Sequence, residues 1–136
     1  MPVPVRVVSV EASLFEGDAD FILCRGADGE LGILPNHAPL LAVLRPGELV
    51  VRSEGDEERL FVGGGFVEVL PDRVTVLADV AERADDINEH AAEEARGRAQ
   101  ERLTGEVNTA EQRELEMLLE QAEARLRLAR IRRQRG

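Results

Sequence analysis

The chain has no tryptophan, no tyrosine and no lysine, and only one cysteine among its 136 residues. Aromatic content is 3%, all of it Phe15, Phe21, Phe61 and Phe66. Large rings bury the most area in a core, so any substantial core is expected in the first half, built from those rings with Val, Leu and Ile. A lone Cys24 excludes an internal disulfide and suits a reducing compartment. No apolar run approaches the roughly 20 residues that cross a bilayer, which predicts no direct membrane insertion. The opening Met1-Pro2-Val3-Pro4 lacks the basic flank and long apolar segment of a signal peptide. The histidines, His37 and His90, are not grouped with cysteine, so no metal site and no cofactor are expected. Gly63-Gly64-Gly65 lacks the following Lys-Ser/Thr of a phosphate loop. It reads instead as a bulge or a close backbone approach within a sheet.

Charge is what the chain has in excess. Its net charge is −10, which argues against nucleic-acid binding. The distribution is uneven. Residues 1–84 hold seven arginines against fifteen acids, whereas 85–136 hold ten against twelve. From residue 125 onward, Arg125, Arg127, Arg130, Arg132, Arg133 and Arg135 occur with no acid at all. The C-terminus is a basic tip on an acidic protein. All the basic residues being arginine is read as genomic compositional bias.

Hydrophobic patterning divides the chain in two. From Val3 to about Val80, short apolar runs alternate with turn chemistry: Val3, Val5 and Val7, then Phe21 to Cys24, Leu31 to Leu34, and Leu40 to Leu44. Arg45-Pro46-Gly47 reads as a turn into Glu48 to Arg52, followed by Arg59 to Val62, Phe66 to Leu70 and Arg73 to Leu77. Such spacing reads as eight to ten strands in an antiparallel sandwich or barrel, and the expected fold is an antiparallel β-sandwich of about ten strands. After Ala81 the period becomes helical. Asp86 and Glu89 are spaced as a capping box, and Ile87, Ala91, Ala95, Ala99 and Leu103 form one nonpolar stripe. Gly105 ends this helix. Thr109 and Gln112 open a second, lined by Leu115, Leu118, Leu119, Ala122, Leu126 and Ala129. The short connection favours an antiparallel two-helix hairpin. The expected domains are therefore 1–84, a β-sandwich, and 85–136, a helical hairpin. Alanine is the best helix former, which explains the stripe on its own. It also buries little area, at about 25 cal/mol per Å², as a detachable arm would need.

The run Asp28-Gly29-Glu30-Leu31-Gly32-Ile33-Leu34-Pro35-Asn36-His37-Ala38-Pro39-Leu40-Leu41 joins a glycine turn, an apolar strand and a loop bracketed by prolines. The prolines fix φ and remove donors, so Asn36-His37-Ala38 does not continue a strand. This run, with Ser13-Leu14-Phe15-Glu16-Gly17, Arg45-Pro46-Gly47-Glu48-Leu49, the segment Phe61 to Val69 and Arg73-Val74-Thr75-Val76-Leu77-Ala78-Asp79, resembles the epsilon subunits of F-type ATP synthases, called delta in mitochondria. The segments occur in the family's order and the resemblance covers nearly the whole chain.

The resemblance implies a non-catalytic subunit of the central rotor stalk, peripheral on the cytoplasmic face of the bacterial membrane. Its implied partners are the gamma subunit, the ring of c subunits and the catalytic alpha/beta hexamer. The sandwich would pass torque between the c-ring and gamma, coupling ion flow to ATP synthesis. The hairpin would act as a regulatory arm that inhibits ATP hydrolysis when extended. By the same resemblance, Glu30, Leu31, Gly32 and His37 fall on the edge facing the c-ring and gamma. For His37 a structural role, bonding Asn36 or backbone, stands equally. Arginines at a helix C-terminus oppose its dipole favourably, which accounts for one or two of the basic tip. The remainder suggests an acidic partner, and the family's beta subunits present an acidic loop. Arg125, Arg127, Arg130, Arg132 and Arg133 are the expected contacts. Some members bind ATP through Ile/Leu-Asp-x-x-Arg-Ala. Here the matching residues are Ile87, Asn88, Ala91 and Ala92, so the acid and the cation are both replaced, and the motif is expected to be lost.

Two rival classes follow from composition. One is a free-standing adaptor whose sandwich and hairpin recruit an acidic protein, distinguished by failure to co-purify with gamma. The other is an enzyme, which would need a nucleophile with its base or paired carboxylates in a pocket. The acids here fall at turn tips and on helix faces, the pattern of solvated surface.

Overall fold

A computed structural model of the chain describes residues 2–135; Met1, Gly136 and the side chain of Arg135, the last arginine of the basic tip, lie outside it. The chain divides into two compact units, Met1–Arg83 and Ala84–Gly136.

The first unit contains β1 (Val3–Ser9), β2 (Ser13–Ala19), β3 (Phe21–Gly26), β4 (Gly29–Ile33), β5 (Leu40–Ser53), β6 (Asp56–Leu70), β7 (Arg73–Ala78) and β8 (Ala81–Arg83). They form one sheet in the order β2-β1-β7-β6-β5-β3-β4, with β8 beside β6. The sheet doubles over to become a sandwich. β7 pairs with Gly65–Leu70 of β6, whereas β8 pairs with Leu60–Val62. β3 takes Val50–Arg52 of β5. The long β5–β6 ribbon thus contributes one end to each layer, as strands that switch sheets do. All pairings are antiparallel except β1 with β7, which run parallel.

The expected sandwich is present, built from eight strands. Eight is the lower end of the range read from the sequence, and its upper end of about ten has a physical origin. Arg45-Pro46-Gly47 is not a turn but a corner inside β5, and Gly63-Gly64-Gly65 is the matching corner inside β6: Pro46 pairs with Gly63 and Leu44 with Gly65. Each corner slips the inward alternation by one residue. The buried positions change from Leu44 to Leu49 and Val51 on β5, and from Leu60 and Val62 to Val67 and Val69 on β6. Gly64 and Gly65 adopt φ of 106° and 132°. A Cβ on Gly65 would run into the Leu77 carbonyl oxygen. The triglycine is therefore a close backbone approach. Between the layers lies a core of Val5, Val7, Ile22, Ile33, Leu49, Leu60, Val67 and Val76, with others of the same kind.

The second unit opens with a 3-10 turn, Ala84–Asp86, followed by α1 (Glu89–Leu103) and α2 (Thr109–Arg135). The residues expected to cap these helices are displaced. Asn88, not Asp86, caps α1, its side chain accepting from Ala91 N at 3.0 Å. Asn108, not Thr109, caps α2: its Oδ1 accepts from Glu111 N at 2.9 Å and its Nδ2 donates to Glu111 Oε1 at 2.8 Å. In both places the asparagine occupies the residue just before the helix, where a short side chain reaches the orphan N–H groups of the first turn. Asp86 lies in the 3-10 turn, and Thr109 is already inside α2. Of the expected stripe, Ile87 and Ala99 are buried, Ala95 and Leu103 half-buried and Ala91 exposed, with Ala92 buried in its place. On α2, Ala122, Leu126 and Ala129 are buried as expected and Leu118 is exposed, while Ala124 and Leu128 form a second buried stripe.

Candidate functional site

Strand alternation places Val67, Val69, Val74 and Val76 in the core, so Phe66, Glu68, Thr75 and Leu77 point outward. The register then aligns one apolar row straight across four strands. Val43 is the partner of Phe66, Phe66 of Leu77, and Leu77 of Val8. Val43, Phe66 and Leu77 are 52%, 47% and 51% exposed, and Leu41 beside them 68%. The neighbouring row, Leu41, Glu68, Thr75 and Arg6, is largely polar. Scattered surface apolar residues need no explanation, but a contiguous row does. Sequence reading missed this row because it joins strands far apart in the chain. The available signal was apolar residues of both parities within Phe66 to Leu70 and Val74 to Leu77.

Next to this row, the β3–β4 hairpin brings Glu30 and Leu31 beside Leu40, Leu41 and Val43, lining a groove of about 410 Å³. The expected contact residues on β4 do not share one face. Glu30 and Gly32 are exposed, whereas Leu31 is half-buried and packs against the core. Gly32 lies under the Phe21 ring, where a Cβ would stand 3.1 Å from the ring edge; its small size serves packing within the hairpin. His37 follows in a turn with Pro35 and Asn36 at the centre. Asn36 has φ of 64°, and His37 N donates to Leu34 O at 3.2 Å, the pattern of a type II turn. His37 Nδ1 lies 2.7 Å from Ala38 O. A carbonyl only accepts, so Nδ1 is the donor in this bond. This backbone bond fixes the ring within the loop.

Charge on this unit is arranged in a small ladder at the β5–β6 hairpin. Glu57 accepts from Arg52 Nε at 2.7 Å and Arg59 Nη2 at 3.0 Å. The Arg52 bond, with Arg59 beside it, holds the Glu57 carboxyl below its usual range. Burial pushes the Cys24 thiol up to about 11, leaving it an unreactive packing group. Among the described residues no group of three or more His, Cys, Asp or Glu is placed to hold a metal. Among the described residues no helix is long and apolar enough to cross a membrane.

In the second unit, Ile87 and Ala92 are buried, Ala91 is exposed, and the Asn88 amide is occupied as a helix cap. Of the basic tip, Arg127 is exposed and Arg125 half-buried. Arg130, Arg132 and Arg133 converge on the beginning of the same unit, reaching Glu93, the carbonyls of Ala84 and Ile87, and Glu89 respectively.

Comparison with known proteins is informative along the whole chain. Residues 2–84 match the family model described as ATP synthase, Delta/Epsilon chain, beta-sandwich domain. The ATP synthase epsilon chain of Acidithiobacillus ferridurans is 47% identical over 136 residues, covering 100% of this chain and 96% of that one. That of Herpetosiphon aurantiacus is 42% identical over 135 residues, covering 99% of each. Among solved structures, the mitochondrial ATP synthase of Euglena gracilis (OSCP/F1/c-ring) contains a chain that superposes with a TM-score of 0.78 at 23% identity, covering 90% of this chain and 78% of that one. A central stalk/c-ring structure from Tetrahymena thermophila gives 0.72 at 13% identity, covering 95% and 97%. At those identities the likeness is one of fold.

Proposed function

The chain belongs to the ATP synthase delta/epsilon family, and from that premise we propose that it works in the central stalk as a non-catalytic rotor subunit. It is a peripheral F1 part attached to the membrane complex, on the cytoplasmic face of a bacterial membrane. The sandwich grips gamma and rests on the c-ring, so that rotation of the ring is passed to the shaft; the hairpin regulates ATP hydrolysis by the alpha/beta hexamer.

The observation that carries this reading is the outward apolar row Val43, Phe66, Leu77 and Val8. A rotor part has to transmit torque without slipping, and a dry, rigid contact does so best. Side chains on paired strands are held by the ladder beneath them, so little freedom remains to be lost on docking. Gamma is assigned to this row. Glu30, Gly32 and His37, at the adjoining hairpin and loop, are assigned to the boundary between gamma and the polar loops of the c-ring, with Leu31 supporting them from the core side. The hairpin's Arg125, Arg127, Arg130, Arg132 and Arg133 are assigned to an acidic surface of the beta subunits in the extended arm. Loss of the ATP motif at Ile87, Asn88, Ala91 and Ala92 is supported by the use of the Asn88 amide as a cap.

Co-purification with gamma tests the carrying observation. Val43→Glu and Phe66→Glu are expected to weaken capture by gamma at least tenfold while the subunit stays folded. An Asp56→Lys change at the exposed start of β6, on the other side of the corner from Phe66, is the control. Undiminished capture of both row variants would overturn the assignment. For the arm, deleting residues after Leu126 is expected to raise ATP hydrolysis of the reconstituted complex.

A further inference from the structure

The last turns of α2 are tied to the start of the same unit by contacts that three arginines share out between them. Arg132 Nη1 donates to Ala84 O at 2.6 Å and to Ile87 O at 3.2 Å. Ala84 O also accepts from Ile87 N at 3.3 Å, so Arg132 is a second donor to the turn from which the hairpin departs. Arg133 Nη1 meets Glu89 Oε2 at 2.6 Å, and Arg130 Nη2 meets Glu93 Oε1 at 3.2 Å. An antiparallel hairpin sets the N-terminus of α1 beside the C-terminus of α2. Acids on the first and arginines on the second each suit their own helix dipole, and that would be true of separated helices too. The cross-helix pairing is what separation would destroy.

We propose that Arg130, Arg132 and Arg133 form a latch that keeps the two helices together, and that an acidic protein surface releases the arm by taking these guanidiniums from Glu93, the Ala84 and Ile87 carbonyls, and Glu89. The second half rests on the regulatory-arm reading above; the first does not. The same arginines cannot serve the closed hairpin and an external carboxylate surface at once, so binding and opening become one exchange. The latch is weak by construction. Arg130 and Glu93 are about half exposed, and a solvent-exposed pair shifts an equilibrium by only about 1.5- to 5-fold. Charge-assisted bonds to the two carbonyls are stronger. A closure of this size is screened by salt and yields to a competitor presenting several carboxylates.

The test uses the full chain with cysteines at the exposed positions Ala91 and Gln134, nitroxide-labelled; buried Cys24 does not compete for label. Pulsed electron resonance reads the distance between the helix ends. The wild type is expected to be closed at low salt and to open with added polyglutamate. A triple Arg130→Gln, Arg132→Gln, Arg133→Gln variant is expected to raise the open fraction at least tenfold. Glu89→Gln with Glu93→Gln, which leaves the arginines in place, is expected to raise it severalfold, and the exchanged pair Glu93→Arg with Arg130→Glu to restore closure. An unchanged closed distance in the two Gln variants overturns the latch, and polyglutamate without effect on the wild type overturns its release by carboxylates. In the reconstituted complex, the Glu89→Gln, Glu93→Gln chain is expected to inhibit ATP hydrolysis more strongly, the triple Arg variant less. If both open and neither alters hydrolysis, the regulatory-arm reading fails while the latch stands.

Discussion

Phe66 and Leu77 are register partners on β6 and β7, and both side chains leave the sheet on the side away from the core. One residue earlier, Gly65 lies against the main-chain carbonyl of that same Leu77. The closest backbone approach in the corner and the exposed apolar row are thus built on one residue of β7. The layer change that lets β6 serve both layers also brings Phe66 into line with Val43 and Leu77.

Gly65 is accordingly the glycine of the corner least open to substitution. With φ of 132° and the Leu77 oxygen in the way of a Cβ, Gly65→Ala is expected to cost more than about 2 kcal/mol. Phe66→Ala, at an exposed position, should cost less than about 1 kcal/mol, while Val67→Ala in the core beside it should cost about 2 kcal/mol. Urea denaturation of the three variants checks this order; equal losses would contradict it.

Acid should weaken the β5–β6 end of the sandwich through Glu57. Its pKa is lowered in the folded chain, first by the Arg52 hydrogen bond and then by Arg59. A depressed folded value means the contribution is fully present above the usual value of 4.5 and is lost as pH falls through the lower, folded one. The stability of Glu57→Gln should therefore fall less steeply than wild type below about pH 4.5, with the two curves parallel above about pH 6. Thermal melts across that range measure the slopes.

Cys24 is expected to resist alkylation. Its thiol is buried and pushed up to about 11, so almost no thiolate is present or accessible at pH 8. Iodoacetamide followed by mass spectrometry should show labelling only when the sandwich opens, at a rate that rises with urea. Rapid labelling of the native chain would contradict the packing described here.

The isolated chain is expected to bind ATP no more tightly than the millimolar range. Asn88 is committed to capping α1 and Ala91 offers no cation. Replacing Ala91 by Arg adds the cation without the acid, so only a modest gain should follow. Calorimetric titration decides it, and micromolar binding by the wild type would contradict the expectation.

Much of the architecture was legible in local patterning. Alternation of period two up to Val80, then a helical period, separates strands from hairpin, because side-chain direction follows directly from backbone repeat. The Asp28 to Leu41 run needed only turn chemistry and proline stereochemistry to be read as hairpin and loop. Caps were less legible: Asp86 and Thr109 have the right chemistry, yet Asn88 and Asn108 lie at the places where the helices start.

What the sequence by itself determined is therefore the inventory: which segments are strands or helices, that they make a sandwich and a hairpin, and the family to which they belong. Tertiary structure alone decided which residues meet. Pro46 and the triglycine became facing corners only once β5 and β6 were paired, and Val43, Phe66, Leu77 and Val8 became a row only through the register of four strands. Six arginines at the C-terminus looked like surplus charge until the antiparallel hairpin set three of them against Ala84, Ile87, Glu89 and Glu93. The physical reason is the same in each case. Propensity acts over a turn or a strand, whereas pairing and charge neutralisation act between residues that only the folded chain makes neighbours.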